Sequence, residues 1–170
     1  MIEPKNTYNT DEELYGLLHP IVKKWFKRKF KTFAKAQKCA IMPIHNRENV
    51  LVSSPTGSGK TLTAFMAILN ELVDSSEKNI LEDRVYAVYI SPLKALSSDI
   101  SVNLITPLEE INEIAKKHGM ELNIRVGLRT GDTTPYERVK MAKKPPHILI
   151  TTPESLAIVL TTMKFRENLR

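Results

Sequence analysis

Apolar residues in the first part of the chain recur three and four apart, and later they also gather into short unbroken runs. Leu14, Leu17 and Leu18 predict a short helix that Asp11 can cap. Pro20 would break that helix internally but suits the first turn of a second one, where Ile21, Val22, Trp25, Phe26 and Phe30 form one stripe. A third helix passes through Ile41, Met42 and Ile44, with Pro43 notching or ending it. The run at 49–52 reads as a strand. The next helical pattern carries Leu62, Phe65, Met66, Leu69 and Leu72, and the polar stretch 74–79 reads as a loop. Residues 85–90 are nearly all β-formers, which fits a strand buried on both faces of a parallel sheet. A helix over 93–114 follows, kinked near Pro107 and stopped by His118-Gly119. Then come a strand at 123–128, a short helix at 135–142, a strand at 146–150, and a last helix bearing Leu156, Ile158, Val159 and Leu160.

Strands alternating with helices predict an α/β fold, a parallel sheet flanked by helices and joined by right-handed crossovers. In such sheets ligands bind at the carboxyl ends of the strands. Four polar loops containing Gly or Pro stand at predicted ends, at 53–61, 91–96, 129–132 and 151–154. That arrangement implies a nucleotide at one place and something extended along the rest.

The chemistry centres on Ser54-Pro55-Thr56-Gly57-Ser58-Gly59-Lys60-Thr61, a glycine loop between a predicted strand and a predicted helix. Gly57 and Gly59 let successive N–H groups point into one concavity, and the helix beginning near Lys60 aims its positive end there. Lys60 can reach the β- and γ-phosphates of ATP, and the Thr61 hydroxyl suits Mg²⁺, a cation that prefers oxygen. Ser54 stands where the usual signature has Gly or Ala. Gln37, one helix and one strand upstream, carries an amide whose donor and acceptor match the N6/N7 edge of adenine.

Between Glu13 and Glu48 the chain has no acidic residue but carries Lys23, Lys24, Lys27, Arg28, Lys29, Lys31, Lys35, Lys38 and Arg47. This stretch reads first as a solvated helix face with its aromatics in the core. A phosphate-tracking face is the sharper alternative. The net charge of +6 is compatible with nucleic acid. The 170 residues fit one domain, and a hydrophobic fraction of 42% can fill a core. No apolar run approaches a membrane span, and the N-terminus has no secretory core, so the expectation is a cytoplasmic protein without a membrane. Cys39 is the single cysteine, and the four histidines are scattered, leaving nucleotide-bound Mg²⁺ as the expected metal.

The four loops, in this order, resemble a superfamily 2 helicase. Ser54 to Thr61 looks like motif I and Ser91-Pro92-Leu93-Lys94-Ala95-Leu96 like motif Ia. Thr130-Gly131-Asp132 and Thr152-Pro153-Glu154 look like the two following strand-contact motifs, and Gln37 stands where the family has its adenine-reading glutamine. The wording Ser-Pro-Leu-Lys-Ala-Leu with Arg-Thr-Gly-Asp-Thr is similar to the large helicase-related (Lhr) family. The resemblance implies a RecA-like fold and an ATP-driven motor moving 3′ to 5′ on nucleic acid, DNA rather than RNA. It also implies that Pro92, Lys94, Thr130, Gly131, Thr152 and Glu154 lie near the bound strand.

By that resemblance, 1–46 form a helical lead carrying the glutamine and 47–170 part of a RecA-like ATP-binding domain. The family's Asp-Glu motif II lies on the strand after the last helix here, and the second motor domain with its arginine finger follows. The chain stops at Arg170, before both. The expectation is therefore an opening portion of a helicase, inactive alone, whose partners include the remaining helicase part. The alternatives are an inert nucleotide- or nucleic-acid-binding fragment and, from another class, a small phosphate-loop kinase.

Overall fold

The structure is a computed structural model and describes residues 8–92, 100–162 and 166–169. The chain divides into two compact units, one of residues 1–78 with 101–122 and one of 79–100 with 123–170.

The first unit is helical. Helix α1 (Asp11–Leu17) is capped by Thr10, not by Asp11. The Thr10 hydroxyl accepts from Glu13 N–H at 3.2 Å while the Glu13 carboxylate accepts from Thr10 N–H at 2.7 Å, satisfying two orphan donors reciprocally. Asp11 instead pairs with Lys38 at 2.7 Å. Helix α2 (Pro20–Lys29) begins at its proline as expected and buries Ile21, Val22, Trp25 and Phe26. Phe26 stacks on Phe33 with centroids 4.2 Å apart. Lys27 lies over the Tyr15 ring, so the apolar stripe packs inward and part of the basic face is tied to neighbouring side chains. Helix α3 (Lys35–His45) runs two residues past Pro43.

Helix α4 (Lys60–Glu77) is longer than the pattern implied. The polar residues 74–77 are its last turn and not a loop. They contain neither Gly nor Pro, Ser76 is buried, and Asp74 pairs with Lys78 one turn on at 2.6 Å. The expected kink near Pro107 is a change of helix type. A π-helical turn, Ser101–Ile105, leads into α5 (Thr106–Lys117), where Pro107 occupies the first turn, the place a missing N–H costs least.

The second unit holds a three-stranded parallel sheet of β1 (Ala87–Ile90), β2 (Val126–Arg129) and β3 (Ile148–Thr151) in the order β1-β3-β2. The carboxyl ends align, with Ile90, Thr151 and Arg129 in register across the three strands. Helices α6 (Pro135–Lys143) and α7 (Pro153–Thr161) belong to the same unit. Val85, Leu149 and Val159 form a small core with Met141 and Leu156 against it. Only the central β3 is buried throughout. Strand β1 alternates, leaving Val88 and Ile90 partly exposed, because it is an edge of this sheet and not an interior strand.

Residues 49–52, expected as a strand, form none. They carry no regular structure, are absent from the sheet, and Leu51 is 73% exposed. A short apolar run such as Val50–Val52 becomes a strand only by pairing its backbone, and these residues do not pair in the sheet. Among the described residues no helix is long and apolar enough to cross a membrane.

Candidate functional site

The glycine loop has the backbone its sequence demands. Gly57 has φ +77° and Gly59 φ +81°, the left-handed region in which a side chain is strained. Ser58 N–H turns back to the Pro55 carbonyl at 3.4 Å, and the Ser54 and Ser58 hydroxyls meet at 2.6 Å, so the serine in the unusual first position braces the loop. Gly59 caps α4, and its carbonyl accepts from Thr63 N–H at 2.9 Å. The Lys60 ammonium donates to the carbonyls of Ser54 at 2.5 Å and Pro55 at 2.8 Å. It therefore lies across the concavity, where phosphate oxygens could replace those two acceptors. Pro55 and Thr56 are exposed, and Thr61 is partly exposed at the head of α4.

Gln37 converges on this loop. It is 4% exposed at the start of α3, and its carbonyl oxygen accepts from Ala34 N–H at 2.8 Å. Ala34 has no side-chain acceptor to return the bond, so this is half of a capping box. The Gln37 amide nitrogen lies so near Gly59 that a Cβ there would sit 3.2 Å from it. The capping bond occupies one lone pair of the oxygen, leaving the other and the NH₂ group for a ligand.

Gln37, Gly57, Ser58 and Gly59 line a cavity of ≈ 590 Å³ within the first unit, large enough for a nucleotide. Its other wall holds Trp25, Lys29 and Phe30 of the basic stretch together with Glu110, which the sequence does not connect with a ligand. Trp25 Nε1–H donates to Glu110 at 2.6 Å, Lys29 pairs with the other Glu110 oxygen at 2.6 Å, and Phe30 is 39% exposed beside them. Burial alone would raise the Glu110 pKa, but the bonds from Lys29 and Trp25 outweigh it and hold the group below the ordinary glutamate value. No local signal marks Glu110, which sits in an ordinary helical stretch 73 residues from Gln37.

In the second unit the three remaining loops meet at the carboxyl edge of the sheet. Ser91 N–H donates to the Thr151 carbonyl at 3.1 Å, and the Thr151 hydroxyl donates to the Arg129 carbonyl at 2.7 Å. Thr130 is buried, and its N–H donates to the Thr133 hydroxyl at 2.8 Å. Gly131 is exposed, and its carbonyl accepts from Arg138 at 3.1 Å. Arg138 also donates to the Thr133 carbonyl at 2.9 Å, so one guanidinium staples the loop. Burial first, then the neighbouring Arg138, lowers the Arg129 pKa. Thr152 is buried and caps α7, its oxygen accepting from Ser155 N–H at 3.3 Å, while Pro92 and Glu154 are exposed. Lys94 lies outside the described residues.

The profile of the DEAD/DEAH box helicases matches residues 34–170. An ATP-dependent helicase Lhr-Core of Methanothermobacter thermautotrophicus is 57% identical over 169 residues, covering 99% of this chain and 20% of the relative. Helicase Lhr of Mycobacterium smegmatis, solved with single-stranded DNA and AMP-PNP, superposes with a TM-score of 0.78 at 42% identity, over 90% of this chain and 19% of that one. A DEAD-box helicase bound to single-stranded RNA and UDP-BeF gives a TM-score of 0.68 at 26% identity, over 93% of this chain and 31% of that one. The chain thus spans between a fifth and a third of these relatives.

Proposed function

Since the chain belongs to the DEAD/DEAH box helicase family, we propose that it supplies the ATP-binding part of a superfamily 2 nucleic-acid motor. The observation that carries this reading is the convergence of Gln37 on Gly59, at a loop whose lysine ammonium bonds the Ser54 and Pro55 carbonyls. Backbone N–H groups of residues 57–60 and the Lys60 ammonium bind the phosphates. Gln37 reads the base through its NH₂ group and the second lone pair of its oxygen. Phe30, exposed at the cavity wall, offers a face to the adenine ring.

The donor set fits Mg²⁺ carried by the nucleotide. Thr61 contributes one hydroxyl oxygen, and among the described residues no three His, Cys, Asp or Glu groups converge to hold a metal by themselves. Phosphates and water complete such a shell. The ion would neutralise phosphate charge.

The carboxyl edge of the sheet holds the strand. Gly131, Pro92 and Glu154 lie exposed there, the Thr130 loop is fixed by Arg138, and Thr152 sets the start of α7, whose N–H groups suit a phosphate. Lys94, outside the described residues, is assigned to the strand by the motif resemblance alone. Single-stranded DNA is the preferred partner, a reading supported by the DNA-bound relative with 42% identity. Movement from 3′ to 5′ rests on the resemblance alone.

The base assignment is tested by titrating ATP and GTP into the protein and into Gln37→Ala, following the emission of Trp25, the single tryptophan, which lines the cavity. Wild type should favour ATP, and the variant should lose that preference. A preference kept in full by Gln37→Ala refutes the assignment.

A further inference from the structure

We propose that Glu110 reads the sugar hydroxyls of the bound nucleotide, making the site selective for ribonucleotides over forms that lack those hydroxyls. The inference rests on the nucleotide reading above and adds to it a specificity-determining residue.

Glu110 stands on α5 and lines the same cavity as Gln37 and Gly59. Its side chain is 29% exposed, open enough to meet a ligand. Trp25 and Lys29 hold one oxygen each, which fixes the carboxylate in place before any ligand arrives. A carboxylate has about four acceptor sites, so two bonds leave about two unused. An anion repels a polyphosphate. With the phosphates at residues 57–61, the part of the ligand facing Glu110 must therefore be uncharged and rich in donors. The sugar presents two neighbouring hydroxyl donors, and a carboxylate holding a ribose hydroxyl is an established solution to that problem. The other donor on the ligand, the adenine N6 amine, belongs to the base edge assigned to Gln37.

The ion pair adds a second element. Lys29 pairs with one Glu110 oxygen at 2.6 Å and helps hold the carboxyl below the ordinary glutamate range, so its role is positioning. Trp25 does the same from the buried side, and its indole becomes a reporter of what Glu110 touches.

The test uses the full chain and four nucleotides: ATP, 2′-deoxy-ATP, 2′,3′-dideoxy-ATP and ITP, each titrated against Trp25 emission. Hydrogen bonds to a charged group are strong enough that wild type should bind ATP about tenfold or more tighter than dideoxy-ATP, with 2′-deoxy-ATP between them. Glu110→Gln keeps an acceptor for Trp25 and removes the charge. It should collapse the ATP to dideoxy-ATP ratio toward unity while leaving the ATP to ITP ratio unchanged. Equal wild-type affinity for ATP and dideoxy-ATP overturns the inference and leaves the nucleotide reading standing. A change in Glu110→Gln confined to the ITP ratio assigns Glu110 to the base and also overturns it. A wild type that binds none of the four overturns both readings. Should Glu110→Gln lose its thermal transition, Glu110→Asp decides instead. The shorter carboxylate should lower the sugar ratio severalfold, and an undiminished ratio refutes the proposal.

Discussion

Replacing Gly59 by alanine probes the contact on which the nucleotide site is built. An L-residue at φ +81° costs roughly 1–2 kcal/mol in backbone strain. The new methyl would stand 3.2 Å from the Gln37 amide nitrogen and 3.9 Å from its amide carbon. Gln37 has little room to yield, because it is 4% exposed and held to Ala34 N–H at 2.8 Å. Moving it sacrifices most of a partly buried hydrogen bond, about 1 kcal/mol. Gly59→Ala should therefore destabilise by about 2–3 kcal/mol. Two neighbours calibrate that value. Gly57 has φ +77° but open space where a methyl would stand, so Gly57→Ala should show the strain alone, about 1–2 kcal/mol. Gly131 has neither strain nor crowding, so Gly131→Ala should stay within about 0.5 kcal/mol of wild type. Urea unfolding followed by Trp25 emission and circular dichroism gives all three values. In a cycle with Gln37→Ala, the crowding should disappear and the strain remain, leaving a coupling of about 1 kcal/mol. Equal losses for Gly57→Ala and Gly59→Ala with zero coupling would refute the contact.

Three further outcomes follow from the same geometry. His147 is 1% exposed, its Nδ1 accepts from Arg125 N–H at 3.1 Å, and burial first, then Arg125, lowers its pKa to about 4. The unfolded chain binds the extra proton from roughly pH 6.5 downward, so stability should fall as pH drops through that window, with a slope approaching about 1.4 kcal/mol per unit, and level off below 4. His147→Gln should lose that slope in a pH series of urea melts; a slope that persists assigns it elsewhere. Thr152→Ala removes the α7 cap and should cost about 1 kcal/mol in the same melts, whereas Thr152→Ser should cost a few tenths. Binding of a labelled single strand should be insensitive to sequence and weaken steeply between low and moderate salt, since phosphate contacts release counterions; affinity unchanged by salt counts against the strand surface.

The parts of the site that were legible in the sequence are those set by local geometry. Gly57 and Gly59 announce a backbone that only glycine adopts cheaply, and both have positive φ. Pro20 and Pro153 each open a helix, as a residue without an N–H should. The strands at 87–90, 126–129 and 148–151 were visible as β-forming runs, but each begins two or three residues later than its pattern. Where an element depends on partners far along the chain, the sequence was silent. The cap at Thr10 takes over from Asp11 because Lys38 claims that carboxylate. Residues 49–52 have a strand's composition without a place in the sheet. Glu110 enters the cavity only because α2 brings Trp25 and Lys29 against α5.

Lys60 is the one cation of the glycine loop at 54–61. Calorimetric titration of ATP with Mg²⁺ into the 170-residue chain and into Lys60→Ala compares one site with and without its cation. The ammonium that now bonds the Ser54 and Pro55 carbonyls should transfer to phosphate oxygens, an exchange that contributes roughly 1.5–3 kcal/mol. One nucleotide should bind per chain, about 10- to 100-fold more weakly in the variant. Equal affinities for the two proteins would contradict that exchange.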